Sequence, residues 1–297
     1  MANSEQIEKI RSGQGFIAAL DQSGGSTPKV LGLYGVGQDQ YANDDEMFDL
    51  MHGFRSRIVQ SDAFNGKRVL GAILFEMTME REISGTPSAQ FLWENKGVVP
   101  FLKIDQGLAA GSGKMQLMNA MPGLDDLLER GSAKGIFGTK ERSVIHAADR
   151  AGISEVVAQQ FEVGAQVLSH DMVPILEPEV TISISDKAEA EDILLDEIHA
   201  RLDSVPDGKQ IMFKLSLPEN ANQYKSVAEH PKVMRLVALS GGYSQEEANA
   251  RLAQNTGMIA SFSRALAEGL NAQQSDADFN SMLDATIGSI FDASNAG

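Results

Sequence analysis

Short apolar runs of β-prone residues alternate along the chain with longer amphipathic stretches. Eight such runs can be separated, at 15–22, 68–76, 97–105, 135–145, 172–180, 209–217, 233–242 and 257–266. Between them, apolar residues recur at the spacing of a helix that buries one face, as Met47, Met51, Phe54 and Ile58 do. Because parallel strands need long crossover connections, this alternation predicts a parallel sheet covered by helices.

Eight strands in 297 residues fit a closed (β/α)8 TIM barrel, which typically needs about 250 residues. The competing architecture is an open doubly wound sheet, which is expected to carry a G-x-G-x-x-G loop after its first strand. The segment 21–26, DQSGGS, is glycine-rich but lacks that spacing. We therefore predict an α/β protein with a TIM barrel. No linker composition divides the chain, so we expect a single domain over 1–297 with a C-terminal helix over 275–293.

Charged residues occupy inward-facing positions near the ends of several predicted strands. Strand side chains alternate between two faces. In KQIMFKLSL (209–217), Ile211 and Phe213 share the face that should meet the helices, so Lys214 should point into the barrel near its C-terminal mouth. The same alternation directs inward Asp21, Lys103, Asp105, Lys140, Arg142, Glu177 and Glu179. Each pair could be a structural ion pair, but catalytic groups collect at this rim, so the pattern predicts an active site there.

Lys214 has two interpretations from its spacing alone. A buried ammonium is costly, and loss of its proton removes that cost. The resulting neutral amine can attack a ketone to form a Schiff base. The alternative is a lysine at an exposed strand end, paired with a carboxylate, and the strand pattern leaves both open.

The charge balance indicates which classes of partner the protein is expected to bind. The chain has 25 Lys and Arg against 41 Asp and Glu, a net charge of −16, which disfavours nucleic acid and anionic membranes as partners. The predicted mouth is different, because it gathers the cations Lys103, Lys140, Arg142, Lys214 and Arg264. The turn Ser240-Gly241-Gly242 and Arg264 follow the seventh and eighth strands, where such barrels bind phosphate. A small anionic ligand is therefore expected, and a homo-oligomer is left open.

Several chemistries find no support in the sequence. The chain has no cysteine, which excludes disulfides, thiolate metal sites and a cysteine nucleophile. The histidines form no metal-binding pattern: they are His52, His146, His170, His199 and His230. We therefore predict neither a metal nor a cofactor. Because no stretch approaches about 20 apolar residues and the N-terminus is polar, we expect a cytoplasmic protein.

Motifs in order along most of the chain resemble those of class I fructose-bisphosphate aldolases. They are ALDQSGGS (19–26), LFEMT (74–78), VPFLKIDQG (99–107), PILEPEV (174–180), FKLSLPEN (213–220), ALSGGYSQEEA (238–248) and SRAL (263–266). The length resembles the compact bacterial branch. The resemblance implies reversible cleavage of fructose 1,6-bisphosphate to dihydroxyacetone phosphate and glyceraldehyde 3-phosphate in glycolysis and gluconeogenesis. The reaction would use a lysine Schiff base and no metal.

The resemblance also implies roles for the catalytic residues. Lys214 matches the Schiff-base lysine, Glu177 the general acid and base, and Glu179 the carboxylate beside it. Asp21 matches the aspartate at the bond that breaks, and Lys140 the lysine that aids conversion of the carbinolamine.

The remaining matches imply contacts with substrate and its two phosphates. Arg142 lies near one phosphate, and Lys103 belongs to the third-strand pair. The turn Ser240-Gly241-Gly242 and Arg264 match the site for the other phosphate. Ser23 and Ser26 of the first motif complete the predicted substrate-binding set.

The sequence departs from the family at several positions. Gln22 stands where a glutamate is common, Val30 where a basic residue is found, and Ser263 where a glycine precedes the phosphate arginine. The last tyrosine is Tyr243, so no tail tyrosine can close over the site. Ser263 leaves open a relaxed preference for fructose 1-phosphate. The alternatives to the main interpretation are a related Schiff-base aldolase for sedoheptulose or tagatose bisphosphate and an aldolase-like scaffold without catalysis.

Overall fold

The computed structural model describes residues 3–23, 27–111 and 113–297. Within these ranges, eight parallel strands form one sheet: β1 Phe16–Leu20, β2 Val69–Leu74, β3 Val99–Lys103, β4 Gly138–Ile145, β5 Val173–Val180, β6 Ile211–Ser216, β7 Val233–Leu239 and β8 Met258–Ala260. Each strand pairs with the next in chain order. The ring closes where the Ala19 N–H donates to the Phe262 carbonyl at 3.2 Å. The predicted TIM barrel and its eight strands are confirmed.

Helices connect the strands and cover the barrel. They are α1 Ser4–Ser12, α2 Thr27–Leu33, α3 Asp44–Gln60, α4 Leu124–Ala133, α5 Arg150–Ser169, α6 Lys187–Leu202, α7 Gln245–Leu252 and α8 Asp276–Ser294. Shorter helical turns span Gln38–Gln40, Glu76–Met79, Ser88–Gln90, Phe91–Asn95, Lys225–Ala228 and Arg264–Ala267. The short strands Glu82–Ile83 and Thr86–Pro87 form a hairpin, and Met115–Gln116 pairs with the end of β4. No helix of the described ranges is long and apolar enough to cross a membrane.

Helices α3, α5 and α7 each begin at a side chain that accepts a hydrogen bond from a free backbone N–H group. The Asn43 side chain accepts from the Glu46 N–H at 2.9 Å before α3. Asp149 accepts from the Gly152 N–H at 3.1 Å before α5, and Ser244 accepts from the Glu247 N–H at 3.2 Å before α7. These caps fix where each crossover leaves the mouth of the barrel.

Two apolar cores follow from the alternation of strand side chains. The outward faces pack under the helices, as where Phe213 meets Phe161 of α5 with ring centres 6.0 Å apart. The inward faces fill the lower part of the barrel, where Phe101 and Phe137 meet edge to face at 5.3 Å. Helix α1 closes this end with Ile10, which is fully buried in the same cluster. The apolar filling ends partway up, and charged side chains occupy the C-terminal end.

Candidate active site

A cavity of about 560 Å³ opens at the C-terminal mouth of the barrel. The structure brings together there most of the residues that the sequence singled out: Asp21, Ser23, Lys103, Lys140, Arg142, Glu177, Glu179, Lys214, Ser240, Gly241 and Arg264. Ser26 lies outside the described residues. None of the five histidines lines the cavity. Across the described ranges, no group of three or more acidic, histidine or cysteine side chains is arranged to hold a metal ion.

Glu177 lies between two lysines at the centre of the cavity. Its Oε1 is 3.0 Å from Lys214 Nζ and its Oε2 is 3.0 Å from Lys140 Nζ. All three side chains are buried, with 5% or less of each exposed. The residues come from β4, β5 and β6, which are neighbours in the barrel. The parallel register therefore delivers two amines to one carboxylate.

Lys140 is also the partner of two aspartates. Its Nζ is 2.8 Å from Asp21 Oδ2 and 3.7 Å from Asp105 Oδ2. Burial lowers the pKa of Lys140, but Asp21, Glu177 and Asp105 outweigh burial and raise that pKa well above its usual value. These contacts favour the charged form of Lys140, and an ammonium group is a poor nucleophile toward a carbonyl.

The same ion pairs favour the ionised form of the two aspartates. Burial raises the pKa of Asp21, but the charges of Lys140, Lys214 and Lys103 outweigh it and hold that pKa well below its usual range. The same balance, with Lys140 and Lys103 as the cations, lowers the pKa of Asp105. The centre of the mouth is therefore a network of compensated charges rather than a free basic patch.

Two further cations, Lys103 on β3 and Arg142 on β4, are paired with carboxylates. Lys103 Nζ lies 2.8 Å from Asp105 Oδ1. Arg142 forms an ion pair through Nε with Glu179 Oε2. The alternation predicted that these side chains would point inward and offered Lys103 and Asp105 as a pair, but it did not predict that Arg142 pairs with Glu179. Glu179 contacts Arg142, although it was expected mainly as a neighbour of Glu177.

The turn after β7 has a conformation that favours glycine. Gly241 has φ +61° and Gly242 has φ +127°, and a Cβ on Gly241 would lie 2.6 Å from Ile182 Cγ2. A Cβ on Gly242 would lie 3.6 Å from Arg264 Nη2, so the turn and the guanidinium are neighbours. Arg264 has no ion-pair partner among the described residues. A glycine turn beside an uncompensated guanidinium suits a phosphate group.

Ser261 lines the cavity but was not among the predicted site residues. It is buried, and within the described part of the chain its Oγ has no hydrogen-bond partner. Ile259, two residues earlier on β8, faces the barrel interior. Because strand side chains alternate, the strand pattern contained the signal that Ser261 points the same way.

Two of the departures from the family pattern contact each other. Gln22 Nε2 donates to Ser263 Oγ at 2.6 Å, which joins the ends of β1 and β8. The buried Arg55 of α3 donates to the Gln22 carbonyl and, at 2.7 Å, to Thr78 Oγ1. Ser263 therefore serves as the partner of Gln22, beside Arg264.

Comparisons with known proteins agree with this architecture. The family model described as Glycolytic: Fructose-bisphosphate aldolase class-I matches residues 3–217. A fructose-bisphosphate aldolase class 1 from Synechocystis is 54% identical over 292 residues, covering 98% of this chain and 97% of the relative.

Two solved structures share the fold at low sequence identity. A Plasmodium falciparum fructose-bisphosphate aldolase, solved in complex with TRAP and a small-molecule inhibitor, superposes with a TM-score of 0.79 at 20% identity. The match covers 98% of this chain and 93% of that one. A Corynebacterium glutamicum protein gives a TM-score of 0.55 at 12% identity over 98% and 92%. With the full-length relative and the family match, these findings show that the chain belongs to the class I fructose-bisphosphate aldolases.

Proposed function

We propose that this protein cleaves and re-forms the C3–C4 bond of fructose 1,6-bisphosphate through a Schiff base on Lys214. The observation that carries the proposal is the buried contact of 3.0 Å between Lys214 Nζ and Glu177 Oε1. An amine and a carboxyl at hydrogen-bond distance can exchange a proton. Attack of the amine on C2 of the ketose then requires no base from solvent.

The charges around Lys214 allow this exchange without burying a new net charge. Three amines and three carboxyl groups share the cluster: Lys103, Lys140, Lys214, Asp21, Asp105 and Glu177. Transfer of a proton from Lys214 to Glu177 leaves their total charge unchanged. It gives a neutral amine, which attacks C2, and a carboxylic acid, which protonates the hydroxyl that leaves the carbinolamine as water.

The iminium then serves as the electron sink for cleavage. The electron pair of the C3–C4 bond moves toward the iminium nitrogen, and Glu177 takes the proton of the C4 hydroxyl as glyceraldehyde 3-phosphate leaves. Asp21, held ionised by Lys140, accepts a hydrogen bond from a substrate hydroxyl and orients it. Protonation of the enamine at C3 and hydrolysis of the iminium release dihydroxyacetone phosphate and regenerate Lys214.

The order of strands supports a substrate with a phosphate at each end. Ser240, Ser261 and Arg264 follow β7 and β8, whereas Lys103 and Arg142 belong to β3 and β4 on the opposite side of the ring. Along the ring, Lys214 on β6 lies between these two groups of strands. Among the described residues Arg264 has no ion-pair partner, whereas Lys103 and Arg142 each have one, so we expect the phosphate beside β7 and β8 to contribute more binding energy than the other phosphate.

The test is to locate the covalent adduct. We expect borohydride reduction in the presence of dihydroxyacetone phosphate to leave a mass increment on Lys214, found by peptide mass spectrometry. Lys214→Ala should give no adduct and lose cleavage by roughly 10⁴-fold or more, while a chelator leaves the parent activity unchanged. An adduct on another lysine, or normal cleavage by Lys214→Ala, would overturn the proposal. Intact sugar phosphate after long incubation would favour a scaffold.

Substrate choice and cellular setting belong to the same proposal. We expect the highest kcat/KM for fructose 1,6-bisphosphate, in glycolysis and gluconeogenesis in the cytoplasm. Measuring kcat/KM for fructose 1-phosphate and for tagatose and sedoheptulose bisphosphates decides the substrate. A higher value for any of these would replace the assignment while leaving the Schiff-base chemistry in place.

A further inference from the structure

The backbone register between β4 and β5 places one N–H group and one carbonyl group opposite each other next to the Glu177 side chain. The Val173 N–H donates to the Phe137 carbonyl at 3.3 Å, and the Thr181 N–H donates to the Ile145 carbonyl at 2.9 Å. Midway between these bonds, the same register sets the Glu177 N–H against the carbonyl of residue 141.

At this midpoint a glutamine side chain from outside the barrel bridges the two strands. Gln160 of α5 is fully buried. Its Oε1 accepts from the Glu177 N–H at 3.1 Å. Its Nε2 donates to the Glu141 carbonyl at 3.1 Å and to Ser143 Oγ at 2.7 Å. One acceptor and both donors of the amide are used, so the side chain acts like an extra peptide group between β4 and β5.

The other edge of β5 holds Glu177 less firmly. Among the described residues, β5 pairs with β6 only through Ile175 and Leu176. Pro178 has no N–H to offer to a neighbouring strand. The backbone of Glu177 is therefore held mainly from the β4 side, where Gln160 makes its contacts.

The position of this backbone decides the chemistry of its side chain. The two Glu177 oxygens are each 3.0 Å from a lysine nitrogen, Lys140 on β4 and Lys214 on β6. A displacement of Glu177 by a fraction of an ångström would shorten one contact and lengthen the other. Proton transfer between Glu177 and Lys214 depends on that geometry.

We propose that Gln160 is a positioning residue for the reaction: its buried amide fixes the Glu177 main chain against β4 and so sets the carboxyl between Lys140 and Lys214. This inference rests on the proposed function. Gln160 does not itself line the cavity, and it acts through the main chain of Glu177.

The first variant is Gln160→Met, which keeps the shape of the side chain and removes its hydrogen bonds. We expect kcat to fall about 10- to 100-fold, since small misplacement of a catalytic group is costly, while KM changes less than about threefold. The neighbouring Gln159 provides the matched control. Its amide also makes two backbone bonds, accepting from the Met118 N–H at 2.8 Å and donating to the Met118 carbonyl at 3.1 Å. Gln159→Met should lower Tm to a similar extent and keep kcat within about twofold.

The second variant, Gln160→Glu, tests the hydrogen bonds themselves. A protonated carboxyl keeps the acceptor for Glu177 and one donor for the Glu141 carbonyl, whereas the ionised form repels that carbonyl. The charged or titratable side chains on β4 and β5 are Lys140, Arg142, Glu177 and Glu179, which line the cavity, and the buried Glu141, whose carbonyl accepts from the Gln160 amide. From α6, Arg201 donates to Ser154 and pairs with Glu197, and Asp196 and Glu197 pair with Arg150 at the start of α5. At pH 6, Gln160→Glu should therefore have a kcat at least about ten times that of Gln160→Met, and this advantage should shrink as the pH rises.

Each outcome has one meaning. Wild-type kcat in folded Gln160→Met, or Gln160→Glu no better than Gln160→Met at pH 6, overturns the inference. So does a control variant that loses as much kcat as Gln160→Met. If Gln160→Met does not fold, Gln160→Leu takes its place in the same comparison, and a wild-type kcat in that variant contradicts the proposed role. Failure to trap Lys214 in the parent protein is a separate result, which overturns the proposed function.

Discussion

The inside of this barrel has a lower half and an upper half built from the same strands with opposite chemistry. In the lower half, inward positions such as Ile17, Phe101 and Ile175 pack against each other without polar atoms. Two to four residues further along the same strands, the inward positions are Asp21, Lys103 and Glu177. The backbone geometry is continuous, so the change arises entirely from residue type.

The difference explains how a buried charge network is tolerated. The apolar half stabilises the barrel by removing surface from water, a contribution that does not depend on protonation. The upper half contributes through pairing: Lys140 meets three carboxylates, and removing one partner leaves the others uncompensated in a buried site. The first half should therefore respond to lost volume, and the second half to pH and charge.

Of the substitutions that compare the two halves, the largest loss of stability and activity is expected for Lys140→Met in the upper half of the barrel. It leaves Asp21, Asp105 and one side of Glu177 without their shared cation, so we expect the free energy of unfolding at pH 7 to fall by about 3–5 kcal/mol. Activity should fall by roughly 10³-fold or more. Urea unfolding at pH 7 and at pH 5 checks the cause, because protonation of the freed carboxylates should restore part of the stability. Equal losses at both pH values would contradict it.

A smaller effect of a different kind is expected in the lower half. Phe137→Leu removes ring volume beside Phe101 and should cost about 2 kcal/mol of stability. Because no charge changes, the loss should be the same at pH 5 and pH 8, and kcat measured well below Tm should stay within about threefold. Urea unfolding at the two pH values measures it. A loss that varied with pH would show that the halves are not independent.

The smallest effect on stability is expected for Asp21→Asn, and it should depend on pH in the acid range. The folded-state pKa of Asp21 lies below the unfolded value of about 4. Asp21 therefore stabilises the fold above pH 4, and that contribution is lost as the pH falls through 4 toward the folded pKa. Asp21→Asn should cost about 1 kcal/mol at neutral pH and make the free energy of unfolding decline less steeply below pH 4. An unchanged acid slope would mean that other carboxyl groups dominate it.

Much of the fold could be predicted from the sequence, because the patterns that indicate it are local in the chain. The alternation of short apolar runs with amphipathic stretches depends only on neighbours in the chain, and it predicted all eight barrel strands. Side-chain alternation placed Lys214, Lys140 and Glu177 on inward faces, and the same rule could have added Ser261. Glycines in the SGG motif marked a turn whose positive φ values at Gly241 and Gly242 demand them.

The contact partners of these residues could not be predicted from the sequence, because the contacts join strands that are far apart in the chain. Gln22 meets Ser263 only because the ring closes between β1 and β8. Gln160 looks like any buried helix residue until the register of β4 against β5 sets the Glu177 N–H beside its amide. The stagger of a closed barrel decides such contacts, and no local pattern encodes it.

The sequence by itself determined the family, the eight strands and the set of polar side chains that face inward, since residue type and period are local properties. Only the tertiary structure decided that Lys140 takes three carboxylates while Lys214 contacts Glu177 alone among the described carboxylates. The reason is physical: charge pairing in a buried site depends on distances of a few ångströms between different strands. Those distances exist only once the barrel has closed.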